Sequence, residues 1–76
     1  MINPQSVRRE PTPFESLVLD YIEANTHKTE SSSRCLTPSE IADIFGQTEV
    51  TYAAIAFLTM NGYVNARSGY IWKISS

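Results

Sequence analysis

The sequence predicts a small, mainly helical α+β domain in which three helices precede a β-hairpin, with a short additional strand allowed near residues 34–36. Two observations lead to this fold class. The helix-start pattern Thr-Pro-x-Glu occurs twice, at residues 12–15 and 37–40, and each copy precedes apolar residues at helical spacing. After residue 62 the chain becomes rich in strand-forming residues instead.

The first helix is predicted to begin at Thr12 and to end near residues 24–25. Thr12 is a suitable N-cap, Pro13 occupies the first helical position, and the Glu15 side chain can reach back to the backbone N–H of the cap. The apolar side chains that follow recur at i, i+3, i+4, i+7 and i+8, which makes one stripe along the helix. This stripe should pack on the core, and it consists of Phe14, Leu17, Val18, Tyr21 and Ile22.

The second helix is predicted over residues 37–45 and is only about two turns long. Leu36 before the Thr37 cap and Ile41 at the fourth helical position form the arrangement of a hydrophobic staple. Gly46 follows the helix, where a left-handed backbone conformation is needed to end it. The short buried face should consist of Ile41, Ile44 and Phe45.

The third helix is predicted over residues 48–60 and ends at Asn61-Gly62. One face is expected to join the core, and it consists of Thr51, Ala54, Ile55 and Leu58. A helix that is apolar nearly all round normally has both faces covered. A second apolar row therefore indicates either cover from the hairpin or the tail, or an interface with another chain. That row consists of Val50, Ala53, Phe57 and Met60.

Residues 63–66 and 70–74 form the predicted β-hairpin, joined by the short turn Arg67-Ser68-Gly69. The alternation of a strand divides the second segment into two faces. We expect Trp72 to fill the core between the hairpin and the first helix. It shares its face with Tyr70 and Ile74, and the other face carries Ile71 and Lys73.

Composition and charge exclude several classes of function. The 76 residues suffice for one domain, which we place at residues 12–76 behind a flexible tail at residues 1–11. The net charge of −2 excludes a strongly basic nucleic-acid clamp, although it leaves room for a local basic patch. One cysteine, Cys35, and one histidine, His27, cannot supply an internal disulfide or a zinc site, so we expect no metal and no other cofactor.

The residues also point away from an enzyme and from a membrane protein. The single histidine lies in a polar loop without the partners that a catalytic triad needs, and the three glycines form no phosphate-binding loop. No apolar run approaches the roughly 20 residues that span a bilayer. Residues 1–13 contain no apolar segment typical of a secretory signal. We therefore expect a cytoplasmic protein that is not an enzyme.

A series of residues from the second helix to the hairpin has a characteristic spacing, namely Leu36-Thr37-Pro38-Ser39-Glu40-Ile41-Ala42, Gly46, Leu58 and Asn61-Gly62-Tyr63-Val64. This spacing resembles the winged helix-turn-helix family, and in style the N-terminal domains of LexA-type repressors and small phage or plasmid regulators. The resemblance covers residues 14–74. It implies a transcription regulator that binds double-stranded DNA as a homodimer, with the helix at residues 48–60 in the major groove and the hairpin as a wing on the backbone.

Carried over by position, the resemblance implies DNA contacts from the start of the third helix and from the wing. These residues are Thr48, Glu49, Val50, Thr51, Tyr52, Ala53, Arg67, Ser68 and Lys73. The chain departs from the family pattern because it has no Lys or Arg between Arg34 and Arg67, where family members carry several. Since affinity for DNA comes mainly from phosphate neutralisation, two copies of the chain would be needed for a sufficient footprint.

A second hypothesis is a winged-helix module that binds a protein, for example a phage-type inhibitor or adaptor. Its contact surface would be the second apolar row of the third helix, at Val50, Ala53, Phe57 and Met60. A dimer formed through this helix would hide it from DNA, whereas a dimer formed through the first helix and the tail would leave it free. The sequence leaves this choice open.

Overall fold

The computed structural model describes residues 10–28 and 33–74, and it confirms the predicted fold class. Most of the tail predicted at residues 1–11, including Arg8 and Arg9, lies outside the described residues. The elements follow in the order α1 (Pro13–Asn25), β1 (His27–Lys28), β2 (Ser33–Arg34), α2 (Pro38–Phe45), α3 (Thr48–Met60), β3 (Val64–Arg67) and β4 (Tyr70–Lys73).

Both predicted capping boxes are present, and they fix the starts of α1 and α2. At the first, the Thr12 N–H donates to Glu15 Oε1 at 2.8 Å and the Glu15 N–H donates to Thr12 Oγ1 at 3.3 Å. At the second, Thr37 and Glu40 exchange the same two bonds at 2.9 and 3.2 Å. Gly46 ends α2 with φ of 71°, the left-handed conformation expected there. Local sequence therefore sets the helix ends.

The core lies where α1, α3 and the hairpin meet α2. Two predicted core residues are instead exposed, namely Leu17 and Ile44. Leu17 lies about 100° around α1 from buried Val18, and Ile44 lies about 60° around α2 from buried Ile41. Both side chains are at the edge of an apolar stripe and lie outside a core this small. The buried cluster consists of Val18, Ile22, Leu36, Ile41, Ala54, Ile55, Leu58, Val64 and Ile71.

The hairpin presents the opposite face to the core from the one expected. Ile71 is buried, whereas Tyr70 and Ile74 are exposed and Trp72 is only partly buried, so the prediction that Trp72 fills the core is wrong. The reason is a backbone bridge between Leu36 and Ile71, with N–H···O distances of 2.9 and 2.7 Å. Because residues paired across a ladder share a face, buried Leu36 brings Ile71 to the core side.

The additional strand expected near residues 34–36 is divided between two pairings. Leu36 bridges to the hairpin, while Ser33–Arg34 pairs with His27–Lys28, a strand that the sequence did not predict. In β3 and β4 the register runs from Val64 opposite Lys73 to Arg67 opposite Tyr70. The hairpin therefore has its base at Val64 and Lys73, beside the end of α1, and its tip at Arg67–Tyr70. Leu36 pairs with Ile71, one residue from the tip.

A buried threonine ties the end of α1 to the base of the hairpin. The Thr26 hydroxyl donates to the Ile22 carbonyl at 2.7 Å and accepts from the Lys73 N–H at 2.8 Å. Thr26 is only 4% exposed. This bond and the Leu36–Ile71 bridge fix how the hairpin stands on the helices.

Candidate nucleic-acid interface

Positive and negative side chains lie on different elements of the chain. The three helices contain no Lys or Arg, and their six acidic residues are Glu15, Asp20, Glu23, Glu40, Asp43 and Glu49. Every Lys and Arg after residue 10 belongs to a strand, and these are Lys28, Arg34, Arg67 and Lys73. A polyanion is therefore attracted by the strands and repelled by the helices.

The end of the hairpin at residues 67–70, which we call the wing tip, carries an exposed cation beside exposed backbone. Arg67 and Ser68 are both exposed at the end of the hairpin. Ser68 and Gly69 have φ values of 55° and 84°, the pair of positive angles typical of a two-residue type I′ turn. This tight turn holds the strands together up to Arg67, so the guanidinium is carried by a defined strand end rather than by a long loop.

Lys73, also predicted to contact DNA, lies apart from the wing tip. It is at the opposite end of the hairpin, about 10 Å along the strand from the Arg67–Tyr70 pair. Its side chain is half-buried, and its backbone N–H is bound by Thr26. The structure therefore does not bring Lys73 together with Arg67 in one contact patch.

The N-terminal half of α3 exposes five of the six residues that the resemblance assigns to DNA. Val50 is 49% exposed and Tyr52 is similarly open. All five lie on the solvent side, and they are Thr48, Glu49, Val50, Tyr52 and Ala53. This surface offers a partner two hydroxyls, one carboxylate and two small apolar side chains.

Thr51 is the exception, and its prediction as a DNA contact is wrong. It is 0% exposed, because its position three and four residues before Ala54 and Ile55 places it on the core face. Its Oγ1 atom has no hydrogen-bond partner in the described part of the chain. The same spacing had already assigned Thr51 to the core row, and that signal was the correct one.

The second apolar row of α3 is only partly open. Val50, Ala53 and Met60 are exposed, with Met60 at 85%, but Phe57 is half-buried against the core. The Phe57 ring stacks on Tyr63, with centroids 6.0 Å apart and planes inclined by 30°. Of the two alternatives for this row, cover from within the chain applies to Phe57, because the turn after α3 brings Tyr63 back beside it.

Two clefts adjoin these surfaces. A shallow, largely apolar cleft of about 470 Å³ lies between the start of α2 and the exposed side of α3, and it is lined by Thr37, Pro38, Ser39, Tyr52, Ile55 and Ala56. A second cleft of about 490 Å³ lies on the outer face of the wing, and it is lined by Ser33, Cys35, Arg67, Ser68, Tyr70 and Trp72.

Sequence reasoning missed the second cleft, which we call the wing cleft, because it assigned Tyr70 and Trp72 to the core face. Arg67, expected in the turn, instead pairs with Tyr70 across the two-residue turn Ser68-Gly69. Residues opposite each other in a hairpin share a face, so this pairing places an arginine beside the aromatic residues.

Among the described residues, no group of three or more His, Cys, Asp or Glu side chains is arranged to hold a metal ion. No helix among those residues is long and apolar enough to cross a membrane.

Comparison of the chain with known proteins finds no matching family model, no similar curated protein and no similar solved structure. The likeness to the winged-helix layout therefore rests on the order of three helices and a hairpin, together with the residues quoted above. The family assignment remains a prediction.

Proposed function

We propose that the chain is a DNA-binding transcription regulator of winged-helix type, which acts in the cytoplasm as a homodimer. The observation that carries the proposal is the exposed Arg67 at the tip of the wing, in a chain whose three helices contain no Lys or Arg. In the proposed complex the start of α3 enters the major groove and the wing tip contacts the backbone.

The proposal assigns most of the affinity to the wing and the sequence preference to α3. Phosphate contacts supply most of the affinity and base contacts supply the sequence preference. Arg67 would neutralise phosphate at the wing, since α3 has no cation. On α3, Glu49 can accept from a cytosine amino group, and the small side chains of Val50 and Ala53 can contact thymine methyl groups.

The proposal includes a homodimer because a single copy has few cations. Two copies would place two α3 helices roughly 34–36 Å apart on a pseudo-palindromic site. A contact through α1 leaves α3 free for this purpose. Leu17, the exposed apolar residue of α1, is the side chain that such a contact would cover.

The direct test is fluorescence anisotropy of a labelled random duplex at low and moderate salt. Arg67→Gln removes one wing cation, and Ile44→Glu makes the same change in net charge on the exposed side of α2, which takes no part in the proposed dimer contact or DNA contacts. We expect Arg67→Gln to lower the slope of log affinity against log salt by about 0.9 and Ile44→Glu to leave it unchanged. A folded wild type that shows no binding at tens of micromolar would refute the proposal.

A second candidate function, a protein-interaction module, is favoured by the open part of the apolar row on α3. Val50 and Met60 are exposed there and no cation accompanies them. If this surface binds a second copy or another protein, Met60→Glu should abolish association while Ala24→Glu, on the exposed side of α1, preserves it. Sedimentation velocity of the three proteins measures self-association, and a monomeric wild type would leave only a different protein as the partner.

A further inference from the structure

The wing cleft combines two aromatic rings with an arginine and two hydroxyls on one sheet face. We propose that this cleft binds unpaired bases of single-stranded nucleic acid. The inference goes beyond duplex recognition by α3. Arg67 is common to both proposals, whereas Tyr70 and Trp72 belong to the cleft alone.

The hairpin register brings the aromatic and cationic groups together. Tyr70 lies opposite Arg67 and Trp72 lies opposite Asn65, so these four side chains share the outer face. Tyr70 and Trp72 are two residues apart, about 7 Å along the strand. The Leu36–Ile71 bridge extends the same face to Cys35, which stands beside Trp72 in the cleft wall.

The rings favour an unpaired base over a duplex. In a duplex the flat faces of the bases are stacked inside, and a protein reaches only their edges. Aromatic side chains on a sheet face bind the flat faces of unstacked bases instead, as they do in other sheet platforms for single strands. Tyr70 is 53% exposed, and partly buried Trp72 lines the same cleft. At about 490 Å³ the cleft lies within the common range for ligand sites, about 300–1,000 Å³.

Charge favours a polynucleotide over an apolar partner. Arg67 lines the cleft and lies opposite Tyr70 in the hairpin. A strand whose base stacks on Tyr70 would have a phosphate within reach of this cation. The acidic side chains of the helices would repel a nucleic-acid strand that ran across the helices instead of along the wing. Stacking does not depend strongly on which base is present, so the site should be tolerant of sequence.

Trp72 is the single tryptophan of the chain, so intrinsic fluorescence reports directly on the cleft. We expect an oligothymidylate of about 12 nucleotides to change this fluorescence saturably, with an affinity that falls as salt rises. Tyr70→Ala should weaken binding of the oligothymidylate by about 5- to 150-fold, whereas Tyr70→Phe should retain it. Circular dichroism establishes that each variant is folded.

A matched control separates this site from the one proposed for duplex DNA. Tyr52→Ala removes an exposed tyrosine of α3 that lies outside the wing cleft. It should leave oligothymidylate binding unchanged, and Tyr70→Ala should leave the sequence preference of duplex binding unchanged. A wild type that binds only the duplex contradicts this inference, and one that binds only the oligothymidylate contradicts the proposed function.

Four results would overturn the inference. They are an unchanged Trp72 signal with oligothymidylate at low salt, equal affinities of the wild type and Tyr70→Ala, binding of thymidine monophosphate as tight as that of the oligonucleotide, and equal competition by oligoglutamate. The third result would indicate a mononucleotide pocket, and the fourth would indicate recognition of negative charge alone.

Discussion

Two buried threonines should respond in opposite directions to the same substitution. Thr26 and Thr51 are 4% and 0% exposed, and valine has nearly the shape of threonine. The Thr26 hydroxyl donates to the Ile22 carbonyl and accepts from the Lys73 N–H. The Thr51 hydroxyl has no hydrogen-bond partner among the described residues. Replacement by valine therefore removes two hydrogen bonds at one site and none at the other.

The expected magnitudes follow from the partners left behind. At Thr26→Val the Lys73 N–H loses its acceptor, and an unsatisfied partly buried donor costs about 1–3 kcal/mol. At Thr51→Val an unpaired hydroxyl is replaced by a methyl group, which should raise the free energy of unfolding by about 1 kcal/mol. The two variants should thus differ by about 2–4 kcal/mol.

Urea or thermal unfolding followed by circular dichroism measures this difference. For a domain of this size about 1 kcal/mol corresponds to a shift in Tm of roughly 4–8 °C, so the two variants should lie on either side of the wild type. Thr51→Val should also leave duplex binding unchanged, because the side chain does not reach the surface. Destabilisation of similar size in both variants would refute the hydrogen-bond reasoning.

Three further substitutions test the turn of the hairpin and the N-cap of α2. Gly69→Ala should lower the free energy of unfolding by about 1–2 kcal/mol, because φ of 84° is unfavourable for a residue with a Cβ atom. Ser68→Asn should raise it by a few tenths of a kcal/mol, since asparagine adopts positive φ more readily; a decrease would contradict this account of the turn. Thr37→Ala removes the capping box of α2 and should cost about 0.5–2 kcal/mol. Urea unfolding measures all three, and a neutral Thr37→Ala would show that α2 is held by packing alone.

The helices were predictable because their boundaries depend on nearby residues. Thr12 and Thr37 start α1 and α2 with bonds that span three residues, and Gly46 ends α2 within one turn. The bounds of α3 also agree with the prediction. By contrast, His27–Lys28 is too short to show any periodicity, so β1 could not be recognised.

The candidate site was predictable only in part, because some of its residues are placed by local spacing and others by contacts between distant parts of the chain. The exposed positions of α3 and the wing tip follow from element order and spacing. The choice of hairpin face depends on the pairing of Leu36 with Ile71, which are distant in sequence. Large aromatic residues are buried or exposed according to such contacts, and the preference of Trp72 for the interior could not decide between the two faces. The wing cleft was therefore invisible before the fold was known.

The two attachments of β4, at Ile71 and at Lys73, imply that this strand and the turn differ in local stability. The amide hydrogens of Ile71 and Lys73 are held by Leu36 and Thr26, and they should exchange with solvent only when the domain opens widely. The tip at residues 67–70 is exposed and has no such attachment in the described part of the chain, so it should exchange through small local fluctuations. A wing of this kind can adjust its tip to the shape of a groove while the helices stay folded.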